Sequence, residues 1–335
     1  MAMLTDYQTK HFEEFGFVKV ENAINPEKII DPVIDEYKSV LDNLADQLFD
    51  NGNIKSKYQD CEFGERVTRI YADSGEVHNQ FFDFSLPQSN IKNDTPFWAG
   101  PAVFDAIKNP ELLDLVECFI GSEIYSNPIQ HVRIKIPEKE CPRDNEGNVI
   151  FGATPWHQDA GVATDEIDST DMLSVWFPLT DATEENGCLQ MVPGSHKGKV
   201  LTHCPGFESK TGRKVSNLGP MGLQIPEKLF RSENAMAVPM RKGDVLFFTK
   251  KTVHSAFPNL SDEIRWSFDL RYQPIGQPTG RDIFPGFVAR SKRDPDSVLN
   301  DSETWYQMWK NARDTLARTE QFEFNRWDGE DIACA

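Results

Sequence analysis

Short segments rich in β-branched and aromatic residues extend from residue 124 to residue 274 of this 335-residue chain. Turn residues bound each segment, and no helical pattern lies between them. The segments include IYSNPIQHVRIKIP, MLSVWFPLTDA, CLQMVPGSH, AMAVPM, DVLFFTKKTVHSA and IRWSFDLRYQP. A series of short strands of this kind is typical of antiparallel architectures. The sequence therefore predicts a sandwich, a barrel or a jelly roll.

Helical patterns lie on both sides of this β region. The spacing of apolar residues predicts helices over residues 5–16 and 26–50, with the strand FVKV after the first. Two further helices are predicted within residues 101–120, and one amphipathic helix over residues 302–319. We therefore expect a mainly β fold with flanking helices, in which residues 1–120 are mainly helical.

Neither an internal repeat nor a low-complexity linker divides the chain, so residues 1–335 are predicted to form a single domain. Residues 121–280 would form its β core, and residues 281–335 a helical tail. Gly and Pro are frequent in residues 202–235, which interrupt the series of strands. A loop of this length is typical of a lid or another functional insertion.

Composition excludes several classes of partner. The chain carries 35 Lys and Arg against 53 Asp and Glu, a formal net charge of −18, whereas nucleic-acid binders concentrate basic residues. No apolar run is long enough to span a bilayer, and the N-terminus lacks a secretory pattern. Six scattered cysteines without a C-x-x-C pair predict reduced thiols and a cytoplasmic protein. We expect neither nucleic acid nor membrane as a partner, and leave monomer and homodimer open.

The stretch TPWHQDAG places a histidine and an aspartate two positions apart. On an extended segment, side chains at i and i+2 point to the same face, so His157 and Asp159 can meet at one metal ion. Two polar side chains in a solvated loop are the alternative. His254 follows an apolar strand further along the chain, where an opposing strand would supply a third ligand. Two histidines and one carboxylate on one face form the triad of non-haem Fe(II) oxygenases.

An arginine follows eleven residues after the second histidine, in the strand RWSFDLRY. Alternation places Arg265, Ser267 and Asp269 on one face of this strand. A buried guanidinium needs an anion, and it grips a carboxylate through two parallel hydrogen bonds, with a hydroxyl at i+2 adding a third. The alternatives are a surface strand with Arg265 in water, or an ion pair between Arg265 and Asp269.

Taken together, these motifs resemble the phytanoyl-CoA dioxygenase family of Fe(II)/2-oxoglutarate-dependent oxygenases. The resemblance covers about residues 5 to 275 and rests on HFEEFGFVKVENAI, WHQDAG, WFPLTDATEENGCLQMVPGSHKG, GDVLFFTKKTVHSA and the arginine that follows. It implies a double-stranded β-helix (a jelly-roll, cupin-like core) with the metal between its two sheets. It also implies that the protein uses Fe(II), 2-oxoglutarate and O2, releases succinate and CO2, and hydroxylates a small organic molecule.

The resemblance also implies roles for individual residues. His157, Asp159 and His254 would hold the metal. Four residues would hold 2-oxoglutarate: Arg265, Ser267, Trp176 and Gln130. Three further residues are candidates for binding the substrate: Trp156, Arg133 and Arg271.

Other functions stay open from the sequence alone. The same iron site serves desaturation, epimerisation and ring formation. A zinc hydrolase would use the same two histidines and carboxylate with a metal-bound water, but it leaves Arg265 without a role. A non-catalytic jelly-roll binding module is the third class, and the intact ligand set counts against it.

Overall fold

A computed structural model describes residues 3–144, 147, 149–150, 152–206, 222–319, 324–327 and 329–334. The helices in these residues are α1 (Asp6–Phe15), α2 (Pro26–Asp50), α3 (Phe63–Ser74), α4 (Pro101–Ile107), α5 (Pro110–Ile120) and α6 (Ser302–Leu316). The predicted helices are confirmed as α1, α2, α4 with α5, and α6. Every helix within the described ranges is too short or too polar to cross a bilayer.

The first helix shows why its boundaries are readable from the sequence. The Thr5 hydroxyl accepts a hydrogen bond from the Gln8 amide (3.2 Å), and the Gln8 side chain accepts one from the Thr5 amide (2.9 Å). This reciprocal capping box satisfies amides that have no partner within the helix. Gly16, with a φ of 84°, ends the helix in the left-handed conformation that glycine adopts without steric cost.

Helix α3 was not predicted, although its sequence carries a signal. Val67, Ile70 and Tyr71 are buried, and their i, i+3, i+4 spacing is that of one helix face. Tyr71 lies in the shared core of helices and sheet.

The described strands are β1 (Phe17–Val20), β2 (Ile124–Ser126), β3 (His131–Lys135), β4 (Thr154–His157), β5 (Leu173–Pro178), β6 (Leu189–Met191), β7 (Cys204–Pro205), β8 (Leu223–Gln224), β9 (Met236–Val238), β10 (Val245–Thr249), β11 (His254–Ala256), β12 (Arg265–Pro274) and β13 (Phe287–Arg290). They form a seven-stranded sheet in the order β1-β10-β5-β12-β2-β13, with β3 also paired to β12, and a four-stranded sheet in the order β4-β11-β6-β9. Strands β7 and β8 pair separately. The pairings are antiparallel, as the short-strand pattern predicts.

One face of the large sheet is covered by helices. Trp266, Phe268 and Leu270 point from β12 into this apolar layer. The ring of Phe63 stacks on Trp266 at 4.6 Å, and Tyr37 from α2 meets the same ring edge-on at 5.3 Å. The opposite face of β12 is therefore left for the polar residues Arg265, Ser267, Asp269 and Arg271, as the alternation predicts.

That polar face of the large sheet meets the four-stranded sheet. A second apolar cluster joins the two sheets on this side, with Trp176 and Phe248 from the large sheet against Met191 and Ala256 from the small one. Polar residues of β12 and β5 are thereby held in the space between the sheets, where the small sheet supplies His157 and His254.

Two parts of the chain differ from expectation. Residues 281–335 were expected to be helical, but β13 precedes α6 and pairs with β2 in the large sheet. Of the predicted lid at residues 202–235, residues 207–221 lie outside the described part of the chain. Its described ends approach each other in the β7–β8 pair.

The expectation of reduced thiols is wrong for two of the six cysteines. The sulfur atoms of Cys204 and Cys334 lie 2.00 Å apart, which is a disulfide bond. The pair is separated by 130 residues in sequence, so no local spacing motif announces it. The bond ties the C-terminal segment to the insertion that follows the H-x-D motif.

Candidate metal centre

Three side chains converge where β4 and β11 pair. His254 lies directly opposite His157 in this antiparallel pair, and Asp159 follows β4 two residues after His157. The Nε2 atoms of both histidines lie 3.8 Å from Asp159 Oδ1, and the candidate ligand atoms all lie within 4.8 Å of one another. The structure thus brings the sequence-predicted triad together, with the third ligand from an opposing strand.

Backbone carbonyls orient both imidazoles. His157 Nδ1 donates a hydrogen bond to the Pro155 carbonyl (2.8 Å), and His254 Nδ1 donates one to the Thr252 carbonyl (3.0 Å). This leaves each Nε2 as a lone-pair donor facing Asp159, which is the usual arrangement for a metal-binding histidine. Burial, followed by the neighbouring His254, lowers the pKa of His157 to about 4, and burial likewise lowers the pKa of His254. Both rings are therefore neutral at pH 7.

Asp159 is fully buried and bonded on both oxygens. Arg271 Nη2 donates to Oδ1 at 2.8 Å and Arg271 Nε to Oδ2 at 3.1 Å, while the Ser174 hydroxyl donates a short bond to Oδ2. Burial by itself would raise the pKa of Asp159, but the charge and the hydrogen bonds of Arg271 outweigh it and hold the pKa below its ordinary value. The carboxylate is charged at pH 7, as metal binding requires.

Arg265 is buried on the same face of β12. Its Nε donates to the Gly187 carbonyl (3.1 Å) and its Nη1 to the Ser267 hydroxyl (2.5 Å). The guanidinium carbon lies 5.7 Å from the centre of the Trp176 ring. The structure thus brings together three of the four residues predicted to hold 2-oxoglutarate. Burial, followed by the charge of Arg133, lowers the pKa of Arg265 to about 10.

Two further cations lie beside Arg265 on this face. Strand β3 pairs with β12 so that Lys135 is opposite Arg265 and Arg133 is opposite Ser267. Lys135 is buried, its Nζ donates to the Phe257 carbonyl (2.7 Å), and burial together with the two arginines lowers its pKa well below the usual value. Three basic side chains crowded in this way favour an anionic ligand.

The remaining predicted residues are placed differently. Arg271 was predicted to bind substrate, but its guanidinium is taken up by Asp159. Trp156 points away from the triad because neighbouring residues of β4 alternate in direction; its ring packs on Phe230 at 5.2 Å. Gln130, buried just before β3, accepts a 3.4 Å hydrogen bond from Ser126, a contact that involves none of the triad residues.

The geometry of the site agrees with a family assignment. The sequence model of the phytanoyl-CoA dioxygenase (PhyH) family matches residues 12–267, which is well over half of the chain and includes the triad, Arg265 and Ser267. This chain belongs to the phytanoyl-CoA dioxygenase family. Members of the PhyH family are 2-oxoglutarate-dependent dioxygenases, so the chain is an oxidoreductase that uses Fe(II), 2-oxoglutarate and O2. Membership decides against the zinc-hydrolase and non-catalytic alternatives.

Individual PhyH relatives are distant in sequence. A phytanoyl-CoA dioxygenase domain-containing protein 1 homolog from Dictyostelium discoideum is 24% identical over 282 residues, covering 80% of this chain and 91% of the relative. Peroxisomal phytanoyl-CoA dioxygenase from Homo sapiens is 23% identical over 271 residues, which cover 81% of this chain and 68% of the human protein. Among solved structures, the apo form of the non-heme monooxygenase ThoJ aligns with a TM-score of 0.55 at 17% identity, over 92% of this chain and 97% of ThoJ. That likeness concerns the fold.

A C-terminal segment outside the PhyH match contacts the loop that carries Asp159. The Trp327 indole donates to the Gly161 carbonyl at 2.6 Å. Arg326 Nη2 donates to the carbonyls of Ala160 (3.0 Å) and Thr164 (2.9 Å). These contacts satisfy backbone groups directly after the metal-ligand aspartate. No sequence pattern indicated this role, because the segment and the loop are more than 150 residues apart.

His203 also supports this loop. Its Nε2 accepts a hydrogen bond from the Gln158 amide (2.9 Å), and its ring stacks on Trp327 at 5.4 Å. A Cβ at Gly161 would lie 2.0 Å from the His203 ring, so the glycine of WHQDAG allows this close approach. Burial lowers the pKa of His203 to about 3, which keeps the ring neutral as an acceptor. Together, His203 and the C-terminal segment hold the backbone around Asp159 in place.

Proposed function

We propose that this chain hydroxylates a small organic molecule, using His157, Asp159 and His254 to hold Fe(II). The single observation that carries the proposal is the triad itself, which lies on the same side of β12 as the buried Arg265. The two sheets that enclose the triad support the interpretation of the core as a double-stranded β-helix, the jelly-roll, cupin-like fold predicted from the sequence.

The donor set fits iron. Two neutral imidazole nitrogens and one carboxylate oxygen on one face match the ligand preference of non-haem Fe(II), and the carbonyl contacts of both Nδ1 atoms leave the correct nitrogens free. When bound, the iron supplies activation of O2 coupled to decarboxylation of 2-oxoglutarate to succinate and CO2. Burial of Asp159 and His254 excludes bulk water from the site and strengthens the charge interactions there.

Arg265, Ser267 and Trp176 are the residues that we assign to 2-oxoglutarate. The hydrogen bonds of Arg265 go to an uncharged carbonyl and an uncharged hydroxyl, so the buried guanidinium lacks a counter-charge in these contacts. A carboxylate of the co-substrate supplies that charge, and the Ser267 hydroxyl is placed to share it. Trp176 supplies a flat wall beside the guanidinium.

The substrate and the outcome of the reaction are the finer part of the proposal. Arg133, half-buried on the site face, is the substrate-binding candidate that this geometry favours. Gln130 and Trp156 as ligand contacts stay predictions, as do the lid at 202–235, the single domain, the cytoplasmic location and the choice between monomer and homodimer. Desaturation, epimerisation and ring formation use the same iron site and are distinguished by the product.

A succinate-release screen tests the proposal. Purified protein is supplied with Fe(II), ascorbate, O2 and 2-oxoglutarate, and a library of small metabolites is added one compound at a time. We expect succinate above the background rate with one chemical class, and an oxidised product by mass spectrometry. His254→Ala is the inactive control. Substrate-stimulated succinate that persists in His254→Ala, or no 2-oxoglutarate turnover by the wild type under any condition, contradicts the proposal.

A further inference from the structure

Arg271 and Ser174 form a cradle around the Asp159 carboxylate. They lie directly opposite each other on the paired strands β12 and β5, and both point to the inner face of the large sheet. Asp159 comes from the loop after β4, in the small sheet. The cradle therefore belongs to one sheet and its carboxylate to the other, so the contact depends on the two sheets being docked.

The cradle occupies one carboxylate oxygen more fully than the other. Oδ2 accepts two hydrogen bonds, one from Arg271 Nε (3.1 Å) and one from the Ser174 hydroxyl. Oδ1 accepts one, from Arg271 Nη2 (2.8 Å). Each carboxylate oxygen has about two lone-pair positions, so Oδ2 is saturated and Oδ1 keeps one position free. Both imidazole Nε2 atoms lie 3.8 Å from Oδ1.

The Arg271 guanidinium is itself held by its surroundings. Its Nη2 lies 3.1 Å from Asp269 Oδ1, and its Nη1 donates to the Ile129 carbonyl at 3.3 Å. Arg271 is 2% exposed, and Ser174 and Asp159 are fully buried. A cradle fixed in this way restricts rotation of the carboxylate about its χ2 angle, because rotation breaks several charge-assisted hydrogen bonds at once.

We propose that Arg271 and Ser174 are positioning residues that limit Asp159 to one metal-coordinating oxygen, Oδ1. This inference rests on the proposed iron site. Three single-atom ligands leave three positions of an octahedral ion open, which is the number that a chelating co-substrate and O2 require. A carboxylate that coordinated through both oxygens would remove one of them. The saturated Oδ2 prevents this, and thereby protects 2-oxoglutarate binding.

The decisive variant is Ser174→Ala, because it frees one position on Oδ2 without changing any charge. Crystal structures of the anaerobic Fe(II)-loaded wild type and variant report how many Asp159 oxygens contact the ion, and calorimetric titration reports 2-oxoglutarate affinity. We expect one oxygen in the wild type and two in Ser174→Ala, with metal retained. The 2-oxoglutarate affinity should fall by roughly 10- to 100-fold, the size of effect that mutating the partners of metal ligands has on metal affinity or activity. Arg271→Lys, which keeps the charge but only one point of contact, should act in the same direction.

Two controls separate positioning from general damage to the fold. Ser174→Thr keeps the hydroxyl and should restore both single-oxygen coordination and co-substrate affinity. Ser255, next to His254, is another buried serine, and its hydroxyl has no hydrogen-bond partner among the described residues. Ser255→Ala should therefore match the wild type in both measurements. If Asp159 still coordinates through one oxygen in both Ser174→Ala and Arg271→Lys, and 2-oxoglutarate affinity is unchanged, the inference is overturned but the proposed function is not. A wild type that binds no Fe(II) overturns the proposed function as well.

Discussion

Arg271 and Asp159 form a two-point ion pair between the two sheets, with 2.8 Å from Nη2 to Oδ1 and 3.1 Å from Nε to Oδ2. The partners are separated by 112 residues in sequence, and both are buried. Since the carboxylate is also the acidic member of the metal triad, its charge is present in the apoprotein and must be balanced there. Arg271 balances it.

Arg271→Met should destabilise the apoprotein. Removing one partner of a buried pair leaves the other charge uncompensated, at a cost of about 3–5 kcal/mol in the free energy of unfolding. Urea unfolding in the presence of a chelator measures the loss. Arg69→Met is the matched control: Arg69 pairs with Glu65 at the surface, where such pairs contribute about 0–1 kcal/mol. Equal effects of the two substitutions would show that the Arg271–Asp159 pair is not the stabilising contact we describe.

Arg265→Ala should weaken 2-oxoglutarate binding while leaving metal content close to that of the wild type. Loss of a buried charge-assisted contact typically costs about 2–5 kcal/mol of binding free energy. Calorimetric titration of 2-oxoglutarate into metal-loaded protein checks the effect, with metal content measured on the same samples. Arg265→Lys keeps the charge but not the two parallel donors of the guanidinium. Its 2-oxoglutarate affinity should lie between those of the wild type and Arg265→Ala. Wild-type affinity in Arg265→Ala would mean that another cation, such as Lys135, binds the co-substrate.

The convergence of His157, Asp159 and His254 and the inward position of Arg265 were predictable because they follow strand alternation and spacing. His157 and Asp159 are two residues apart in sequence, and His254 begins strand β11, which pairs with the strand that carries His157. Ser174 was missed because a serine within an apolar strand carries no local pattern. Its role appears only when β5 is placed beside β12 and the two sheets are docked.

The pairing of Arg271 with Asp159 was not predicted for the same reason. A charge on a sheet face shows that a partner is needed, but it does not show which distant carboxylate arrives there. The disulfide and the C-terminal contacts also join segments more than 120 residues apart, so they depend on the complete fold. The prediction of local elements such as α1 was confirmed because the signals that define them, here the capping box and the terminal glycine, lie within a few residues of the element.

Breaking the Cys204–Cys334 disulfide should loosen the loop after Asp159. Cys334→Ser, or reduction by a dithiol, removes a link that closes a long loop and should lower the free energy of unfolding by roughly 2–5 kcal/mol. Hydrogen–deuterium exchange of residues 158–168 should increase, because His203 and Trp327 lose their anchor. Cys118→Ser changes an exposed free cysteine and serves as the control. Unchanged exchange in Cys334→Ser would indicate that the segment is held without the disulfide.

His203 should make the metal-free protein sensitive to acid. Its pKa is lowered to about 3 in the folded chain, against about 6.5 when unfolded. The unfolded state therefore binds the extra proton first. The contribution of His203 to the free energy of unfolding is therefore fully present above pH 6.5. It declines as the pH falls toward 3, by up to about 1.4 kcal/mol per pH unit. Free energies of unfolding measured between pH 6.5 and 5 should fall less steeply in His203→Gln; identical slopes would contradict the assignment.

The most direct test of the iron site is anaerobic titration of 2-oxoglutarate into Fe(II)-loaded protein, followed by visible absorption. We predict a charge-transfer band that requires both Fe(II) and 2-oxoglutarate in the wild type and is absent in His254→Ala. His196→Ala, which changes a turn histidine that contacts the Glu13 carbonyl, should keep the band. A wild type without the band, or a His254→Ala variant that retains it, would contradict the assignment of His157, Asp159 and His254 as the iron ligands.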